Sequence, residues 1–177
     1  MLKKEFYFLR HGKTDFNDST IKVDHEDVSL NQIGINQAKF IQPFINTLPI
    51  QSVCCSPLKR AKETKEIACS QISLKHYEIP ELGECTRIIW DDMTSLKNSK
   101  ENTSFPHVEN FLKRTLKGLS QVLSLNEPSL IISHGGVHWA ICSLLQISNH
   151  NWYVENCIPV HFFLNAENCW TAKTLHF

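Results

Sequence analysis

The sequence lacks a net charge, a long apolar run, an internal repeat and a paired-cysteine motif, and each absence removes a class of function. Lys plus Arg number 18 and Asp plus Glu number 18 over 177 residues. No overall field therefore draws the molecule to nucleic acid or to an anionic membrane, and any anion site must be local. The start, Met1 to Glu5, is charged, and the apolar run Phe6-Tyr7-Phe8-Leu9 stops at Arg10. That is far short of a signal-peptide core or of the ~20 apolar residues a membrane helix needs, which predicts a cytoplasmic protein. Seven cysteines make an odd count, and no C-x-x-C occurs, so buried free thiols are expected in place of disulfides or a structural zinc site. With no low-complexity segment to divide it, residues 1–177 read as one domain, the size a single core supports.

What is present is an alternation of short apolar stretches with longer amphipathic ones, the order of strand and helix in an α/β domain with a parallel sheet. Strands are predicted over 5–10, 52–55, 75–79, 129–133, 159–165 and 170–175, and helices over 31–47, 57–71, 108–125 and 136–145. Pro43 is expected to kink or end the last turns of the first helix. Ser56-Pro57 reads as a helix start, because Ser can accept an orphan N–H and Pro has none to satisfy. Residues 81–105 show little periodicity and read as a long excursion outside the sheet, where α/β proteins often place substrate-facing loops.

Three cationic or imidazole groups fall at the C-terminal ends of predicted strands: Arg10-His11-Gly12, Arg60, and His134-Gly135-Gly136. Ligands bind open parallel sheets at that edge, and guanidinium forks, imidazole N–H groups and free amides at helix starts suit a phosphate dianion. Taken singly, Arg60 could be a helix-surface charge beside Lys59 and Lys62, and His134 a core or cap histidine. Cys54-x5-Arg60 has the spacing of a cysteine-dependent phosphatase loop, but Pro57 lacks an N–H and the loop has no Gly, so the amides cannot encircle phosphate. His134 and His138 stand four apart without an acidic partner, which argues against a metal site.

Taken together, these motifs resemble the histidine phosphatase superfamily, the phosphoglycerate-mutase-like group. Arg10-His11-Gly12-Lys13-Thr14-Asp15-Phe16-Asn17 matches R-H-G-x-T-x-x-N. Leu30-x-x-x-Gly34-x-x-Gln37-Ala38, Ser56-Pro57-Leu58-Lys59-Arg60-Ala61-x-x-Thr64, Leu82-Gly83-Glu84 and Ser133-His134-Gly135-Gly136 follow in family order. The resemblance implies a three-layer α/β/α sandwich with a mainly parallel central sheet, and ping-pong hydrolysis of a phosphomonoester or phosphoramidate without metal or cofactor. It implies that His11 carries the phosphoryl group and that Arg10, Arg60 and His134 bind its oxygens, with Asn17 and the Gly135 amide assisting. Glu84 would protonate the leaving oxygen and then activate water, with Glu81 as the competing carboxylate three residues earlier. A small phosphorylated metabolite or a phosphoprotein would be the substrate. A phosphoglycerate-mutase-like phosphotransferase is the enzymatic alternative, although mutases of the family usually have a longer stretch between acid and second histidine. A non-catalytic phospho-ligand or protein-binding module is the alternative from another class. After the acid, family members often carry aromatic-Gly-x-Trp-Glu-Gly, whereas this chain has Arg87-Ile88-Ile89-Trp90-Asp91-Asp92. Arg87 could hold a second anionic group, but a solvent-facing or structural role is favoured.

Overall fold

The computed structural model describes residues 5–18, 27–96 and 105–177. Six strands, β1 (Glu5–Arg10), β2 (Ser52–Cys55), β3 (Lys75–Glu78), β4 (Ser129–Ser133), β5 (Pro159–Leu164) and β6 (Trp170–Thr174), form one sheet in the order β3-β2-β4-β1-β5-β6. The first four in that order run parallel, and β5 and β6 add antiparallel on the far side of β1. The expected α/β sandwich with a mainly parallel sheet is therefore the observed one.

The central strands are apolar on both faces because both faces are covered. Alternation along β1 sends Phe6 and Phe8 to one side and Tyr7 and Leu9 to the other, and β2 splits Cys54 from Val53 and Cys55 in the same way. The Tyr7 face packs against Ala38, Ile41 and Ile45 of α2 (Gln32–Ile45) and Ala61 and Ala68 of α3 (Lys59–Ala68). The Phe6 face packs against α5 (Pro106–Ser124) and α6 (Gly135–Leu144). Asn31 caps α2 by accepting the Gly34 N–H, and the helix ends two residues past Pro43. No helix among the described residues is long and apolar enough to cross a membrane.

Two expectations need correction. Residues 81–105 are not simply a loop: a 3₁₀ turn (Pro80–Leu82) leads to Glu84, and a helix, α4 (Arg87–Leu96), follows, with 97–104 outside the described residues. Its apolar stripe is short. Ile89, Trp90 and Met93 face the core while Ile88 is 64% exposed, so polar neighbours hide the helical period. The helix after β2 starts at Lys59, not at Pro57, and Leu58 is its N-cap without a side-chain bond. Ser56 has a different partner.

Candidate active site

Parallel pairing places the C-terminal ends of β1, β4 and β2 side by side. Arg10 is in register with Ser133, and Cys55 with Ile132, so the residues leaving these strands emerge at one edge. His11 N–H donates to Ser133 O at 3.0 Å and Ser56 N–H to Ile132 O at 3.0 Å. The sheet thus brings together His11, His134 and, at the second residue of α3, Arg60. These three side chains are 2%, 0% and 6% exposed.

His11 is oriented through its own backbone. Nδ1 lies 2.7 Å from Gly12 O, an acceptor, so the ring proton sits on Nδ1 and the Nε2 lone pair is presented outward. Arg60 Nε donates to that Nε2 at 3.1 Å. Burial foremost, then the Arg60 charge, holds the imidazole's pKa well below its ordinary value, against the opposing pull of Gly12 O. His11 is therefore neutral at physiological pH. The peptide joining His11 to Gly12 is gripped at both ends: Asn156 Nδ2 donates to His11 O at 2.7 Å, and Gly12 N–H donates to Thr64 Oγ1 at 2.9 Å. Gly12 and Gly34 pack backbone to backbone, and a Cβ on Gly12 would lie 2.5 Å from Gly34 O. This explains why both positions in the motifs are glycine.

Arg10 ends β1 with Nη1 donating to Val154 O at 3.0 Å, while its buried Nε meets no hydrogen-bond acceptor among the described residues. An anion's oxygen is the missing partner that chemistry suggests. Gly135 opens α6 against this guanidinium: a Cβ there would stand 3.7 Å from Arg10 Cζ. The His11 and His134 rings lie 5.1 Å apart, centroid to centroid. His134 Nε2 is 2.7 Å from Ser56 Oγ.

Glu84 reaches the same edge. Its Oε1 accepts from Cys85 N–H at 2.9 Å and from Gly136 N–H at 3.1 Å, at the amide-rich start of α6. Its charge raises the pKa of both Arg10 and Arg60, opposing the lowering that burial causes. Arg114 on α5 donates to the carbonyls of Gly83 and Glu84 and so fixes this segment from behind. Glu81 points elsewhere, into an ion pair with Lys117 at 2.5 Å that holds its carboxyl below the usual range.

Asn17 is exposed on α1 (Asp15–Asp18), with Oδ1 accepting from Thr14 N–H and Thr14 Oγ1. Arg87 is exposed and pairs with Asp91 at 2.9 Å, the structural role favoured for it. Cys54 is fully buried and its thiol is pushed up to about 12 by burial, which leaves no nucleophile there. His138 packs in the core against Phe8 and Phe162, with Nδ1 2.9 Å from Trp152 O.

The segment before β5 escaped the sequence reading altogether. Val154, Asn156 and Cys157 all contact Arg10 or His11, Cys157 by its N–H to Arg10 O at 2.9 Å. No spacing links them to His11, some 145 residues away. With Arg10, Lys13, Gln37, Asn151 and Tyr153 this segment lines an open polar cavity of about 350 Å³.

The sequence profile of the histidine phosphatase superfamily (branch 1) matches residues 6–161. An agropine synthesis reductase of Rhizobium rhizogenes is 33% identical over 194 aligned positions, covering 96% of this chain but 41% of the relative. The chain thus spans about two fifths of that relative's length. An uncharacterized phosphatase, PhoE, of Bacillus subtilis (strain 168) is 26% identical, with 93% of this chain and 90% of the relative covered. The crystal structure of the alpha-ribazole phosphatase from Shigella flexneri superposes with a TM-score of 0.71 at 20% identity, over 98% of this chain and 96% of that one, and so shares the fold.

Proposed function

Because this chain belongs to the histidine phosphatase superfamily (branch 1), we propose that it is a phosphatase that hydrolyses a phosphomonoester or phosphoramidate through a phosphohistidine on His11. The observation that carries this reading is the orientation of His11: Nδ1–H is held by Gly12 O and the Nε2 lone pair meets Arg60 in a buried, neutral ring. As the Arg60 Nε–H turns from Nε2 to a phosphoryl oxygen, Nε2 attacks phosphorus in line with the scissile bond, the P–N bond forms as the P–O or P–N bond to the leaving group breaks, and Glu84 gives the departing atom a proton. A water then attacks the phosphohistidine, Glu84 takes its proton, and inorganic phosphate leaves with His11 neutral again. Arg10 and Arg60 neutralise the equatorial oxygens throughout, with hydrogen bonds from His134, the Gly135 amide and Asn17 assisting. Positioning and charge neutralisation supply most of the catalysis in phosphoryl transfer, and these cations perform the role a metal has elsewhere.

A small phosphorylated metabolite suits the polar cavity that shares Arg10 with this site, since small-molecule sites are pre-formed clefts with a few placed polar groups. The test is turnover of p-nitrophenyl phosphate in EDTA, with trapping of the phosphoenzyme. Turnover should survive the chelator, and the trapped phosphate should be acid-labile and alkali-stable. His11→Ala should remove both turnover and label. Activity restored only by a divalent ion would overturn the metal-free mechanism, and label retained in His11→Ala would overturn the nucleophile.

A further inference from the structure

Ser56 lies in a family motif, yet it does not cap α3. Its side chain is fully buried. Among the described residues Oγ meets two groups: Leu58 N–H at 3.3 Å and His134 Nε2 at 2.7 Å. A hydroxyl has one proton to give and two lone pairs to offer. Leu58 N–H can only donate, so it occupies a lone pair, and the hydroxyl proton has one acceptor within reach, the ring nitrogen.

We propose that Ser56 is a positioning residue that donates to His134 Nε2 and so holds His134 as the Nδ1–H tautomer. The alternative, a proton on Nε2, would make Ser56 accept from both neighbours and strand its own proton in a buried site, which a protein interior disfavours. Both site imidazoles then carry their proton on Nδ1, and they use it in opposite senses. His11 spends its Nδ1–H on Gly12 O, which leaves the Nε2 lone pair to meet Arg60 and, in the proposed reaction, phosphorus. His134 has Nε2 occupied by Ser56 and offers Nδ1–H to a phosphoryl oxygen. A single tautomer thus yields a nucleophile in one ring and a donor in the other, at a centroid separation of 5.1 Å. If His134 flipped its proton, a nitrogen lone pair would face the oxygen lone pairs of the anion.

The phosphoryl ligand in this account rests on the proposed phosphatase reading, whereas the tautomer does not, and the experiment separates them. In ¹⁵N-labelled wild-type protein at about pH 8, where histidines are normally neutral, long-range ¹H–¹⁵N correlation should show both His11 and His134 protonated on Nδ1 alone. A His134 protonated on Nε2, or on both nitrogens with Ser56 as acceptor, would overturn the proposal without any variant being made. Ser56→Ala should give a mixture of His134 tautomers and bind inorganic phosphate about tenfold more weakly, the factor one lost hydrogen bond commonly costs. Ser56→Thr, which keeps the hydroxyl, should restore the single tautomer and most of the affinity. Unchanged tautomer and phosphate affinity in a folded Ser56→Ala protein would also overturn the assignment. Wild-type protein with Nδ1–H on His134 but no turnover of any phosphomonoester or phosphoramidate would sink the phosphatase reading and leave the role of Ser56 standing.

Discussion

His11 and Glu84 show how much of a residue's chemistry is set by the groups that touch it. As the proposed nucleophile His11 needs no separate base, because burial and two guanidinium charges keep it neutral and Gly12 O decides which nitrogen lacks the proton. For the acid, two carboxylates three residues apart have opposite surroundings: Glu84 lies at the start of α6 within the field of Arg10 and Arg60, and Glu81 is paired outward with Lys117. Glu84→Gln should therefore slow the phosphorylation step for an alkyl phosphate by about 10²–10⁴-fold, the usual contribution of a positioned acid. It should slow p-nitrophenyl phosphate far less, since nitrophenolate leaves with little help. Single-turnover mixing isolates that step from dephosphorylation. Equal slowing of both substrates would reduce Glu84 to a shaping role, and a selective defect in Glu81→Gln would move the acid upstream.

Among the elements, the contacts that matter most are those where one backbone must approach another group closely. The first turn of α6 carries Gly136, where a Cβ would stand 2.5 Å from Cys85 Sγ and closer still to Glu84 Oε1. Gly136→Ala should push the Glu84 carboxylate aside while leaving the helix intact, since Ala favours helix over Gly. The expected result is a leaving-group-selective loss resembling Glu84→Gln, with thermal stability changed by only a few degrees. A loss equal for good and poor leaving groups would count against the contact. The segment before β5 grips Arg10 and His11 through their backbone and side-chain groups. Cys157 adopts φ 56°, a left-handed conformation rare for a residue with a side chain, while its N–H bonds Arg10 O. Such strain persists where surrounding contacts over-determine it, and here those contacts are Asn156 to His11 O and Val154 O to Arg10.

For the molecule as a whole, the buried histidines make stability depend on pH in a definite direction. Burial pushes His138 down to about 3, and it lowers His11 and His150 as well. The unfolded chain protonates these rings near 6.5, so between that pH and the folded value the unfolded state binds more protons. Stability is then full above 6.5 and is lost as pH falls, by about 1.4 kcal/mol per pH unit for the fully buried His138. From His138 alone, the protein at pH 5 should be about 2 kcal/mol less stable than at pH 7. Urea unfolding at pH 5, 6 and 7 measures the slope, and His138→Gln should flatten it. A wild-type stability that rises on acidification over this range would contradict the buried, neutral ring.

The layered sheet and the surroundings of His11 are legible in the chain alone, because both are written in local order. Apolar alternation in Phe6 to Leu9 requires two covered faces, and the motifs around Arg10-His11, Arg60 and His134 each follow a strand whose parallel pairing carries them to one edge. Glu84 was legible only as one of two carboxylates, and α4 was hidden by polar residues around a short stripe. Tertiary structure alone decided the rest. Ser56 looked like a cap until β4 brought His134 to it across 78 residues, and Asn156 had no marker at all until β5 paired with β1 and laid the preceding segment against His11. Hydrogen-bond partners that far apart leave no periodicity in the chain, since the angle and distance that define them exist only after the sheet has closed on its order.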